Sequence, residues 1–280
     1  MNELFIKEKI KQFLLEDIQH EDLTSDAIFP STQTGTASLY AKNNGILAGV
    51  DLIKTVYNIL DDEIDVQLFK TDGDELKKGE RIATISGKIR SILSGERVIL
   101  NLLQRMSGIA TITNKAVKTL DNPNIKITDT RKTTPGLRLF EKYAVRCGGG
   151  YNHRFGLYDA VMIKDNHIAF CGSIEKAVAM VRKKVGPTVK IEVETETISE
   201  VKEAVAQQVD IIMFDNRTPD EIIEMQKYVP DHILTEASGG ITLENLHLYR
   251  HTNVDFISLG FLTHSVQALD MSLTIEGGIF

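Results

Sequence analysis

The chain has 280 residues, a formal net charge of −7 at pH 7 and 42% hydrophobic content, which argue against a disordered chain and allow a sizeable core in one large domain or two smaller ones. The acidic balance argues against a nucleic-acid-binding surface, and no apolar run nears the roughly 20 residues that a membrane-crossing helix needs. Two cysteines, Cys147 and Cys171, make neither a disulfide framework nor a zinc pattern, and the charged opening MNELFIKEKIKQF lacks the apolar centre of a signal peptide, so a cytoplasmic home is expected.

In chain order, residues 1–18 carry Leu4, Phe5, Ile10, Phe13, Leu14 and Ile18 at helical spacing, which predicts one apolar face. The polar run His20–Asp26 reads as a turn or a helix cap. Short strands are expected at Thr36–Tyr40 and Gly45–Val50, and a helix at Leu52–Ile59. Two or three antiparallel strands follow over Val66–Ile85, with Gly73 and Gly79 at turns. SGERVILNLLQRMSG (94–108) predicts an amphipathic helix with Val98, Leu102, Leu103 and Met106 inward. Arg97 stands in its first turn, where a cation gains nothing from the helix dipole; an anion, or the adjacent Glu96, would account for it.

Beyond residue 110 the rhythm changes. Apolar runs at 125–128, 160–163, 189–193, 209–214, 233–235 and 254–259 read as strands. Helical stretches are expected at 173–184, 198–207, 219–227 and 243–249. Repeated βα units predict a parallel sheet closed into a barrel or part of one. Each strand ends in ionisable or glycine-rich residues: Asp129, Arg131 and Lys132; Lys164, Asp165 and Asn166; Glu192 and Glu194; Asp215 and Asn216; EASGG (236–240); and SLG (258–260). A βα barrel gathers such strand ends into one mouth, where its active site lies.

The basic stretch from Asp129 to His167 holds Arg131, Lys132, Arg138, Lys142, Arg146, Arg154 and Lys164 in an otherwise acidic chain. Such a concentration serves a local anion, and its cations exceed the needs of one phosphate. Arginine forks suit carboxylates or phosphates, so a pyrophosphate and a small polycarboxylate together fit the set. His153 could hydrogen-bond or act as an acid. Glu194 and Asp215 are hard oxygen donors suited to Mg²⁺ or to facing an electron-poor sugar carbon; Glu192 is set aside as pointing the other way. Gly239-Gly240 before a helix, with Gly260-Phe261, would offer backbone N–H groups to a phosphate.

At these residues the chain resembles the quinolinate phosphoribosyltransferases, the carboxylating nicotinate-nucleotide pyrophosphorylases. The resemblance rests on GERVILNLLQRMSGIAT (95–111), TRKTTPGLRLFEKYAVRCGGGYNHRFGL (130–157), VMIKDNH (161–167), IEVE (191–194), MFDN (213–216), EASGGI (236–241) and ISLG (257–260). It implies an N-terminal α/β sandwich domain over 1–108, with 270–280 able to complete it, and an open α/β barrel over 109–269. It implies transfer of phosphoribose from 5-phosphoribosyl 1-diphosphate to quinolinate with decarboxylation, with Mg²⁺ as cofactor and no nucleic-acid or membrane partner. By resemblance, Arg97, Arg131, Lys132, His153, Arg154 and Lys164 bind substrate, and Ser238, Gly239, Gly240 and Gly260 take a 5-phosphate. Lys132, Lys164, Glu194 and Asp215 are the expected catalytic residues, with Glu194 and Asp215 at the metal. Arg97 is expected to reach its site from the partner subunit of a homodimer, itself able to form a larger assembly. The run QHEDLTSD (19–26) departs from the family's glycine-rich form there. Two competitors share the architecture: a pyrophosphorylase-like protein of molybdenum transport, disfavoured by the complete TRKTTPG, HR and KDNH set, and a non-catalytic nucleotide binder, which would not need Arg97, Arg131, Arg154 and Lys164 together.

Overall fold

Helix α1 (Glu3–Ile18) starts where the Asn2 side chain accepts hydrogen bonds from the Leu4 and Phe5 amides, satisfying donors that every helix start leaves open. In the computed structural model, which describes residues 2–276, α1 buries Ile6, Ile10 and Leu14 and leaves Leu4 and Phe5 exposed. The apolar face is therefore rotated from the expected one, because 6, 10 and 14 recur at the spacing that stacks side chains on one stripe. The run read as a turn or cap contains α2 (Leu23–Ile28), begun by the Asp22 carboxylate accepting from the Ser25 amide at 3.0 Å.

Strands β1 (Thr34–Ala41) and β2 (Gly45–Ile46) precede α3 (Leu52–Leu60), β3 (Asp65–Leu68), β4 (Glu75–Leu76) and β5 (Arg81–Lys88). Strand β2 stops short of the expected Val50 because the amides past Leu47 leave the ladder: Ala48 bonds Ser107 Oγ and Val50 the Asp72 carboxylate. Helix α4 (Ile89–Leu120) overruns the expected 94–108 at both ends. Then come β6 (Lys126–Thr128), α5 (Arg138–Cys147), β7 (Val161–Ile163), α6 (Asp165–Cys171) and α7 (Ile174–Arg182). They are followed by β8 (Ile191–Thr195), α8 (Ile198–Ala206), β9 (Ile211–Asp215), α9 (Pro219–Gln226) and β10 (Leu234–Ser238). A 3-10 helix (Leu246–His251), β11 (Phe256–Ser258), α10 (Phe261–His264) and β12 (Met271–Glu276) complete the described chain.

These elements form two compact units. The first takes the described parts of 1–114, 139–149 and 265–280; the second takes 115–138 and 150–264. In the first, an antiparallel sheet of order β12-β1-β5-β3 stands beside the β2-β4 pair. Its core holds Leu39, Ile53, Tyr57 and Ile85, with the Tyr57 hydroxyl donating to the Ile92 carbonyl at 3.0 Å. Residues 277–280 of the expected completing segment lie outside the described residues.

Helix α5 also packs in the first unit. Its Glu141, fully buried, receives Arg105 Nη2 at 2.7 Å and Nε at 2.9 Å, an ion pair that meets the cost of removing a carboxylate from water. Lys142 is buried there too. The basic stretch is thus divided between the units: Lys142 and Arg146 belong to the first, whereas Arg131, Lys132, Arg138, Arg154 and Lys164 belong to the second.

The second unit is the open α/β barrel expected from the βα repeats, six parallel strands in the order β6-β11-β10-β9-β8-β7. Thr197 and Thr218 begin α8 and α9 with capping boxes closed by Glu200 and Glu221, so each strand turns abruptly into the helix covering it. Ile127, Ile163, Val193, Ile212, Phe214, Ala237 and Ile257 fill the strands' buried positions.

Candidate active site

The strand register brings the chemistry to one level. Glu194 on β8 lies beside Met213 of β9, and Asp215 beside Ser238 of β10. Ser238 and Ser258, at the ends of β10 and β11, are linked Oγ to Oγ at 2.9 Å. These carboxyl-terminal ends open into a cavity of about 700 Å³, a size suited to small-molecule substrates. Arg131, Lys132, His153, Arg154, Lys164, Glu194, Asp215, Ser238, Gly239, Gly240 and Gly260 all line it. Arg97 belongs to the first unit, on α4; it is exposed, and its guanidinium makes no hydrogen bond or ion pair among the described residues.

The cations are held in different ways. Arg154 Nη1 donates to the Ala160 carbonyl at 2.9 Å, and burial, with Arg131 nearby, lowers its pKa from the ordinary guanidinium value. That shift marks two clustered cations that an anion would relieve. The carbonyl of Lys132 accepts from Thr263 Oγ1 at 2.9 Å. A Cβ on Gly260 would come within 3.1 Å of Lys132 Cδ, so the lysine stem runs closely over that glycine. Arg138 braces the loops: its Nε donates to Thr133 and its Nη1 to the Phe155 carbonyl. Lys164 Nζ lies 2.6 Å from Glu194 Oε2. Asp215 titrates above the usual carboxylate range because it is partly buried and faces the Glu194 charge.

Below this level is a buried trio. His153 Nε2 lies 3.1 Å from a Glu192 oxygen and 3.3 Å from a Glu236 oxygen. Their ligand atoms fall within 4.8 Å of one another, an arrangement able to coordinate a divalent metal. The other oxygen of each glutamate is buried without a hydrogen-bond partner among the described residues. The expectation that Glu192 points away from Glu194 is corrected here: residues two apart on a strand share a face, and Glu192 lies one step deeper in the barrel. His153 Nδ1 accepts the Arg154 amide at 2.8 Å, and the His153 amide donates to Asp129 at 3.0 Å. Burial opposes charging the imidazole, but the glutamates outweigh it and push its pKa up to about 10. Burial and Glu236 raise the Glu192 carboxyl in turn. The Arg154 amide requires a lone pair on Nδ1, so the geometry puts the imidazole N–H on Nε2, facing Glu192 and Glu236. His153 thereby supports the backbone of Arg154.

Gly239 and Gly240 adopt φ of 80° and 64°, a left-handed turn that glycine enters without steric cost. The helix expected directly after them is replaced by a 3-10 helix beginning at Leu246. Any phosphate there would meet turn amides, with no long helix dipole behind them. Sequence reasoning gave no chemical role to Thr130, Asn216, Glu236, Thr242 and His264, which also line the cavity. Asn216 and Glu236 stand inside the motifs MFDN and EASGGI, and the period-2 pattern of β10 places Glu236 on the same face as Ser238.

Two family models match the chain: the N-terminal domain of quinolinate phosphoribosyl transferase over residues 22–107 and its C-terminal domain over 109–274. The chain is 56% identical over 275 residues to a probable nicotinate-nucleotide pyrophosphorylase [carboxylating] of Bacillus subtilis, covering 98% of this chain and 95% of that one. It is 42% identical to a chloroplastic nicotinate-nucleotide pyrophosphorylase [carboxylating] of Arabidopsis thaliana, over 97% of this chain and 83% of the relative. The crystal structure of NadC from Streptococcus pyogenes superposes with a TM-score of 0.94 at 43% identity, covering 98% of each chain.

Proposed function

The chain belongs to the quinolinate phosphoribosyl transferase family, and from that premise we propose how its cavity performs the decarboxylating phosphoribosyl transfer to quinolinate. The observation that carries the proposal is the convergence of Arg131, Lys132, Arg154 and Lys164 with Glu194 and Asp215 in one cavity. Arg131 and Arg154 take the two quinolinate carboxylates, which relieve the repulsion between the guanidiniums. Lys132 and Lys164 turn to the diphosphate, so Lys164 exchanges Glu194 for an incoming anion. Ser238, Gly239, Gly240 and Gly260 receive the 5-phosphate.

With both substrates fixed, the ring nitrogen attacks C1 of the ribose as diphosphate leaves. Glu194 and Asp215 face the positive charge that develops on the sugar. The new pyridinium then stabilises the electron pair left on C2 when carbon dioxide departs, and protonation there gives nicotinate mononucleotide. Positioning and electrostatics suffice, without a covalent enzyme intermediate.

Glu194 and Asp215 also fit Mg²⁺: they offer hard oxygens, and a cation would relieve an Asp215 carboxyl that burial and the Glu194 charge both raise. Held there, Mg²⁺ would supply charge neutralisation to the leaving diphosphate. The His153–Glu192–Glu236 trio fits it less well, since one donor is a nitrogen and both carboxylates already face it. No helix among the described residues is long and apolar enough to cross a membrane, and our reading places the enzyme in the cytoplasm as a homodimer, itself able to form a larger assembly. In the dimer Arg97 completes the partner subunit's site, a role that its exposed, internally unengaged guanidinium supports.

Purified protein supplied with quinolinate, 5-phosphoribosyl 1-diphosphate and Mg²⁺ should release carbon dioxide in step with nicotinate mononucleotide. Absence of quinolinate-dependent turnover, or turnover of nicotinate without carbon dioxide, would overturn the reading.

A further inference from the structure

Asn216 follows β9 with φ of 54°, a left-handed conformation that asparagine tolerates better than most residues but that still costs energy. Its amide hydrogen bonds to the Ser238 carbonyl at 2.8 Å, extending the β9–β10 ladder by one residue. The side chain folds back so that Nδ2 donates to Asp215 Oδ2 at 2.6 Å. A carboxylate only accepts, so the amide nitrogen must face Asp215 and Oδ1 must face away. That oxygen points into the notch left by Gly239: a Cβ there would overlap Asn216 Oδ1 and come within 2.7 Å of its Cγ and 2.8 Å of its backbone nitrogen. One side chain, on a left-handed backbone, thus meets both ends of the subsite assigned above to the phosphoribosyl group.

We propose that Asn216 is a positioning residue for 5-phosphoribosyl 1-diphosphate, wedged between Asp215 and the Gly239-Gly240 turn so that the span from the acid pair to the phosphate-binding amides is fixed. The wedge explains two features together. The left-handed backbone is what turns the Asn216 amide onto its own neighbour, and glycine at 239 is needed for the space Asn216 occupies as well as for its φ. The inference rests on the substrate assignment of the cavity, and the test separates the two.

Binding of 5-phosphoribosyl 1-diphosphate with Mg²⁺, and separately of quinolinate, is measured by calorimetry on wild type, Asn216→Gly, Gly239→Ala and the double variant. Glycine accepts the backbone of residue 216, so Asn216→Gly should fold and melt close to wild type. Its affinity for 5-phosphoribosyl 1-diphosphate should fall about tenfold or more, because misplacing binding groups by even about 1 Å is costly, while quinolinate binding stays within about twofold. Gly239→Ala should lose more. The double variant, with the wedge removed, should recover at least about threefold over Gly239→Ala, because contacting residues couple. The proposal is overturned if Asn216→Gly binds 5-phosphoribosyl 1-diphosphate like wild type, if both ligands weaken equally, or if the double variant is no better than Gly239→Ala. Binding in the expected order without quinolinate turnover would instead overturn the assigned reaction and leave the wedge standing.

Discussion

Arg131 and Arg154 share a half-enclosed corner in which burial and mutual repulsion already disfavour a second positive charge. An anion that bridges them gains from both. Arg131→Ala should therefore cost quinolinate kcat/KM about thirtyfold or more, in line with about 2–5 kcal/mol for truncating one partner of a desolvated charge pair. Its melting temperature should stay near wild type, since the folded protein alone gains nothing from the crowding; unchanged steady-state kinetics would remove Arg131 from the carboxylate site. At this scale much was legible in the sequence, because every strand ends at or just before an ionisable residue or a glycine and strand ends converge. What escaped were residues whose role depends on a neighbour's geometry. Glu236 reads as an unremarkable acid until it meets His153, and Asn216 as a strand end without a role until Gly239 is seen beside it.

Elements were readable in proportion to their length and periodicity. The six barrel strands follow from apolar runs that the helices between them must cover. The short helices α5, α6 and α10 were missed, since polar side chains and nearby glycines obscure a period over so few turns. Helix α2 shows how one cap decides a boundary. The Ser25 hydroxyl and amide hold the Asp22 carboxyl below its ordinary pKa, so its contribution is present at neutral pH and is lost as pH falls below about 3.8, through the folded value. Asp22→Ala should lower stability by about 1 kcal/mol, measured by denaturant unfolding at pH 7. The difference from wild type should shrink on acidification below the carboxylate range; a difference constant down to pH 2 would show that the cap's charge is irrelevant.

For the whole molecule, the basic stretch is the instructive case. Contiguous in sequence, it divides between two units because α5 buries Glu141 and Lys142 in the first, a burial that residue type alone does not reveal. If Arg97 completes the partner subunit's cavity, mixing inactive Arg97→Ala and Lys164→Ala chains should restore activity. Random pairing makes half the dimers mixed, each with one intact site, so recovery should approach about a quarter of wild type. Confirmed mixed dimers without recovery would exclude a shared site.

The antiparallel sheet of the first unit carries a further consequence, in time. Strand β12 pairs with β1 through six registered positions, Thr36 to Ala41 against Glu276 to Met271, yet the ribosome makes them about 230 residues apart. At roughly 5–20 residues per second, the nascent chain holds the edge of β1 open for on the order of ten to fifty seconds, while the barrel's own strands are being completed. During translation the first unit to begin is therefore the last to close, and β1 is the stretch that a chaperone, or a neighbouring nascent chain, would find exposed.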